Sequence, residues 1–135
     1  MLRMFVALCL GSVLFLSSVY GEDKPTLVLD GRVQDPKLQK FAPPTGLIVT
    51  EKALQDLWKA WKIEKDMPKI DFTKEFVIVA TDKGTGNFVA VLDNKGNVNY
   101  DYAGPPSDKP GFAFHLHSHT RTGVKTVKGK PLPKS

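Results

Sequence analysis

Between residues 50 and 62 the apolar positions Leu54, Leu57, Trp58 and Trp61 recur at i, i+3, i+4 and i+7, and Lys52, Gln55, Asp56, Lys59 and Lys62 fall on the other side. That spacing predicts an amphipathic α-helix, with Thr50 placed to cap it and Glu51 in the first turn, where the helix dipole favours an anion. Two tryptophans on one stripe can line a ligand groove, but burial against a sheet is the preferred reading. Elsewhere the pattern runs at period two or in short apolar runs. Thr26 to Val33 alternates in part, Gly46 to Val49 is a short apolar run, and Phe76 to Ala80 is continuously apolar, as a central strand covered on both faces is. Phe88 to Leu92 and Val98 to Tyr102 flank Asp93-Asn94-Lys95-Gly96-Asn97, a polar stretch whose glycine can take positive φ, which predicts a hairpin. Phe112 to Thr120 and Val124 to Val127 add two strands around Thr122-Gly123. Short turns between neighbouring strands imply antiparallel pairing. The expected fold class is α+β: a mainly antiparallel β-sheet, or a small open barrel or sandwich, with one amphipathic helix packed on it.

The start of the chain follows another pattern. Arg3 precedes an uncharged apolar run from Met4 to Leu16, and Val19, Tyr20 and Gly21 offer a small residue for cleavage. This reads as a secretory signal peptide over 1–21, giving a secreted or periplasmic protein with no stable membrane span after cleavage. The alternative is a retained N-terminal membrane anchor, for which the run is short against the roughly 20 residues a bilayer-spanning helix needs. Cys9, the one cysteine, leaves with the leader, so thiol and disulfide chemistry leave too. The remainder suits one domain. Proline and glycine cluster at 41–46, 103–111 and the C-terminus and mark connections. The expected division is an N-terminal strand and linker over 22–45, a single α+β domain over 46–128, and a flexible basic tail over 129–135.

The formal charge is +5, of which Arg3 supplies one. Outside a cell this balance points to anionic envelope polymers, acidic proteins or nothing specific, rather than to nucleic acid. The lysines at 125, 128, 130 and 134 are interrupted by Gly129, Pro131 and Pro133, and read as a solvated end of chain.

One constellation carries chemistry: His115-Leu116-His117-Ser118-His119. Side chains alternate along a strand, so the three histidines share a face with Ala113 and Arg121, while Phe112, Phe114, Leu116 and Ser118 point the other way. Two imidazoles at i and i+2 can clasp one Zn²⁺ or Cu²⁺ at about 2.0–2.1 Å. His119 stands roughly 13 Å from His115 along a strand, too far to share the ion without a bend. Against the metal reading, the phenylalanines define the buried face, which leaves the histidines on the solvent side. The motif also holds no carboxylate to complete a ligand set or orient a ring. Bound metal would be lost on acidification as the imidazoles protonate.

Other patterns end sooner. Gly84-Thr85-Gly86-Asn87 lacks the lysine and spacing of a phosphate loop, and Asp82-Lys83-Gly84 and Asp93-Asn94-Lys95 lack the alternating oxygen ligands of a calcium loop. Ser118 projects away from the flanking histidines, and nothing places a cleft around Asp71 and Glu75. No catalytic constellation is recognised, so the protein is expected not to be an enzyme and to need no cofactor, with Zn or Cu as the alternative.

The order Leu54-Gln55-Asp56-Leu57-Trp58, Pro68-Lys69-Ile70-Asp71-Phe72, Glu75-Phe76-Val77-Ile78-Val79-Ala80 and Gly84-Thr85-Gly86-Asn87-Phe88-Val89-Ala90-Val91 resembles the PrcB-type domain, named for a secreted bacterial subunit that associates with a protease complex. The likeness runs from about Gly46 to Arg121. Asn87 stands where that family's turn has a second glycine, and asparagine tolerates positive φ. The ending from Arg121 to Pro133 resembles small secreted bacterial proteins more than the protease subunit. The resemblance implies a noncatalytic accessory or protein-binding module whose partner is a secreted protease or envelope component, with Gly84, Thr85, Gly86, Asn87 and Phe88, and the Pro105 to Pro110 connection, as contact surfaces. The second reading is a metal-binding protein using His115, His117 and His119.

Overall fold

A computed structural model of the chain describes residues 25–82, 87–103 and 107–135. The leader expected over 1–21 lies outside the described residues. Among the described residues eight strands form: β1 (Val28–Val33), β2 (Leu47–Ile48), β3 (Glu75–Asp82), β4 (Asn87–Leu92), β5 (Asn97–Ala103), β6 (Phe112–Thr120), β7 (Thr126–Val127) and β8 (Lys130–Pro131). One α-helix, α1 (Glu51–Ala60), follows β2, and a 3-10 turn covers Pro36–Phe41. The Thr50 side chain accepts from Ala53 N–H at 3.2 Å, so the predicted cap closes the first turn of α1.

The strands make two four-stranded sheets, ordered β1-β6-β3-β2 and β4-β5-β7-β8. Pairing is antiparallel throughout except between β5 and β7. The α+β class with a mainly antiparallel architecture is therefore observed, in its two-sheet form. The hairpin turns at Asp93–Asn97, where Gly96 has φ 87° and the Asp93 carboxylate accepts from the N–H groups of Lys95 and Asn97.

Alternation along β6 decides what each face of the first sheet meets. Phe112, Phe114 and Leu116 join Leu54, Leu57, Trp58 and Trp61 of α1, with Leu29, Val77 and Val79, in one apolar cluster. The two tryptophans are thus core residues. Trp61 packs at 5.3 Å between ring centroids on both Phe112 and Phe114, and the indole N–H groups of Trp58 and Trp61 donate to the carbonyls of Lys65 and Leu38. On the opposite face Phe76 and Ile78 of β3 meet Val98 and Val127 of the second sheet, with Phe88, Ala90 and Tyr100 against them. The layers run helix, sheet, sheet.

Gly31 sits opposite Phe114 in the β1–β6 ladder, and a Cβ there would lie 2.6 Å from the ring. Only glycine lets the ring pass under β1. The region expected as strand and linker thus supplies an integral strand of the first sheet. The segment expected as a basic tail also contributes structure: β8 pairs with β7, Leu132 packs on the inter-sheet cluster, and Arg121 donates to the carbonyl of Pro133 at 3.0 Å. Among the described residues no helix is long and apolar enough to cross a membrane.

Leu54 is fully buried under α1, whereas Lys52 on its outer side pairs with Asp56 at 3.8 Å in solvent. Leu54→Ala should cost about 2–5 kcal/mol in denaturant unfolding, and Lys52→Ala at most about 0.5 kcal/mol. Similar costs for the two would contradict this placement of the helix.

Candidate metal centre

The β1–β6 ladder sets Asp30 directly across from His115 and Val28 across from His117, so Asp30 is also the diagonal neighbour of His117 on the same face. Its Oδ1 lies 2.6 Å from His115 Nδ1 and 2.8 Å from His117 Nε2. An ionised carboxylate oxygen only accepts, so each of those ring nitrogens donates its N–H to it. Potential ligand atoms of Asp30, His115 and His117 all lie within 4.8 Å of one another, the one such group among the described residues.

The second sheet overturns the expectation that the histidines face solvent. Phe88 of β4 lies over them, its ring centroid 4.4 Å from that of His117 and 5.8 Å from that of His115. The His115 side chain is 5% exposed and that of His117 18%, while Asp30, on the edge strand, remains 55% exposed. Apolar patterning identified one covered face of β6. It did not reveal that β4 and β5 cover the other.

The motif holds no carboxylate of its own, as read from the sequence, but one from outside it orients two of the histidines. Asp30 does so from 85 residues away in sequence. The signal was present in the partial alternation of Thr26 to Val33, which places Asp30 among the polar positions, but only the strand register pairs it with His115. His119 stands apart, as the spacing predicted. Its Nδ1 donates to the Thr120 carbonyl at 2.8 Å and its ring packs 5.6 Å from that of Phe76.

Partial burial pushes the Asp30 pKa up, but hydrogen bonds from His117 and His115, and the attraction of their charge, outweigh it and hold the carboxyl below its ordinary 3.8. Metal chemistry suits the same donors. Two imidazoles and a carboxylate are a familiar set for Zn²⁺ or Cu²⁺. Donors around a tetrahedral ion at about 2.0–2.1 Å lie roughly 3.3 Å apart, so an ion requires the contacts of His115 and His117 with Asp30 to open by about 0.7 and 0.5 Å. It also displaces the two N–H hydrogens from the ligating nitrogens, which makes binding pH-dependent.

Of the predicted contact loop, Gly84, Thr85 and Gly86 lie outside the described residues, as do Pro105 and Pro106 in the second connection. Phe88 packs on His115 and His117. Asp71 and Glu75 form no pair: Asp71 accepts from the backbone and hydroxyl of Thr73, and Glu75 from those of Thr26. Ser118 Oγ accepts from Leu27 N–H at 2.9 Å, on the face away from the histidines.

Compared with known proteins, the chain matches no family model, no curated protein and no solved structure.

Because the folded pKa of Asp30 is depressed, its contribution is present above the ordinary carboxylate value of 3.8 and is lost as pH falls through the folded value. Asp30→Asn should cost about 1 kcal/mol at pH 7, reduced from a buried pair because the carboxylate is half exposed. The difference from wild type should shrink in unfolding titrations below about pH 4. A difference constant from pH 7 to pH 3 would show that the carboxylate charge does not tie β1 to β6.

Proposed function

We propose that the protein binds a divalent transition metal, Zn²⁺ or Cu²⁺, through Asp30, His115 and His117. The observation that carries this reading is the convergence of a carboxylate oxygen on ring nitrogens of two histidines at 2.6 and 2.8 Å, on rings held under Phe88. Ligands locked by neighbouring packing lose little entropy when an ion arrives, and the absence of thiols after leader cleavage leaves nitrogen and oxygen donors for the task. His119 is left out of the ligand set because its Nδ1 serves the Thr120 carbonyl and its ring serves Phe76.

Protein without a histidine tag, dialysed against zinc or copper and analysed by plasma emission, should carry one ion per chain. A His115→Ala, His117→Ala double variant should carry none, and His119→Ala should keep it. Equal, substoichiometric metal in all three would refute the reading.

A second reading, the exported noncatalytic accessory module that the PrcB-type resemblance implies, has one observation in its favour. Val89 and Val91 are 57% and 59% exposed on β4, an edge strand of the second sheet that follows the predicted contact loop. Exposed apolar residues on a strand edge are a common pairing surface for another chain. Crosslinking in the native envelope should recover a reproducible partner, with yield reduced at least about tenfold in a Val89→Lys, Val91→Lys variant, a loss of about 1.4 kcal/mol. Undiminished yield from a well-expressed variant would count against that surface.

A further inference from the structure

The register that pairs Glu75 with Thr120 runs one rung further, because Arg121 N–H donates to the Lys74 carbonyl at 2.8 Å. Two cations thus stand directly opposite each other at the end of the β3–β6 ladder, an arrangement that repels. Among the described residues neither forms an ion pair. Arg121 donates instead to the carbonyls of Phe72, Glu75 and Pro133, which fix the guanidinium and leave its charge in place. The nearby carboxylates are engaged elsewhere. Both Glu75 oxygens accept from Thr26. Hydrogen bonds from the hydroxyl and N–H of Thr73 hold the Asp71 carboxyl below its ordinary value, and the Lys74 charge contributes less.

Both cations line a cleft of about 930 Å³ whose walls come from the first sheet and β4. Its charged lining is Lys74, Arg121 and Glu75, two cations against one carboxylate. Ile78, Phe88 and Ala90 form an apolar wall. Ile78 lies four residues beyond Lys74, so that wall begins about 13 Å from the charged rung at a strand rise of about 3.3 Å per residue. At the charged end Thr120 Oγ1 accepts from Thr122 N–H at 3.2 Å, and the Thr120 hydroxyl hydrogen remains to donate. The volume is in the range of small-molecule sites, and an excess of one charge beside a low-dielectric wall concentrates the field on a ligand of opposite sign.

We propose that this cleft binds a small amphiphilic acid, its carboxylate at the Lys74–Arg121 rung and its unbranched apolar chain along Ile78, Phe88 and Ala90. The Lys74 ammonium and the Thr120 hydroxyl donate to the carboxylate, while Arg121 acts through its fixed charge. An anion seated there relieves the repulsion across the rung, so charge selects the acid over a neutral chain of the same length. Burial of the chain supplies affinity. The site is separate from an ion on Asp30, His115 and His117 and needs none.

Calorimetric titration of metal-free protein, in EDTA and at low salt, tests this with octanoate, octanol and octylamine. Octanoate should bind, octanol at least about tenfold more weakly and octylamine not at all. Lys74→Glu should weaken octanoate at least about tenfold and raise the urea midpoint, because it turns a repelling rung into an ion pair. Thr122→Asp, in the turn at the same end, should weaken octanoate as well, whereas Lys125→Glu, outside the cleft, should leave it unchanged. Absence of octanoate binding, equal affinity for octanoate and octanol, equal effects of Lys74→Glu and Lys125→Glu, or a requirement for added zinc would each overturn the proposal. None of the first three would touch the metal reading.

Discussion

Strand β6 is paired along both edges and covered on both faces, and the rest of the structure depends on its register. The register with β1 lays Leu29 on Leu116 and sets Gly31 over Phe114. The same alignment sets Asp30 opposite His115 on the reverse face. A slip of one residue would turn every β1 side chain to the wrong face, exposing Leu29 and burying Asp30 against the phenylalanines. The apolar cluster under α1 and the polar cluster under Phe88 are thus two consequences of one alignment. The energy of the first, drawn from buried apolar area, fixes the geometry of the second.

That division explains how a polar group of this kind persists inside a small protein. Buried imidazoles without partners are costly. Here Asp30 supplies an acceptor for both rings, and remains half exposed because it lies on an edge strand. Its solvation is therefore only partly lost, which is the condition under which a buried charge cluster is tolerable. The second sheet contributes Phe88, whose ring limits how far the imidazoles can turn. Sheet, edge and cover each restrict one degree of freedom of the Asp30, His115 and His117 side chains.

Much of the fold was legible in the chain because its signals are local. The period of Leu54, Leu57, Trp58 and Trp61, the Thr50 cap, the turn at Gly96 and the apolar run in β3 are each settled within about a dozen residues, and the structure matches them. The limits of β6 coincide with the expected Phe112 to Thr120. Less was legible where information is spread over long separations. Apolar alternation shows that Phe112, Phe114 and Leu116 are covered, but whether the histidine face is also covered depends on where β4 and β5 fold back. Asp30 could be recognised as a polar position in a strand, whereas its partnership with His115 exists only through pairing across most of the chain. The short β8 was missed for a related reason: Lys130–Pro131 has no strand pattern of its own and is held by β7, Leu132 and the Arg121 contact with Pro133.

In the proposed metal centre, strand register rather than the histidine motif alone builds the ligand set. X-ray absorption at the zinc edge of the loaded protein reads that set directly. Two imidazole nitrogens and carboxylate oxygen are expected around the ion at about 2.0–2.1 Å. The oxygen contribution should change in Asp30→Asn while both imidazole signatures remain. A shell of three imidazoles would place the ion on the linear His115, His117, His119 motif, and one insensitive to Asp30 would remove the carboxylate from the ligand set; either result refutes a site built by register.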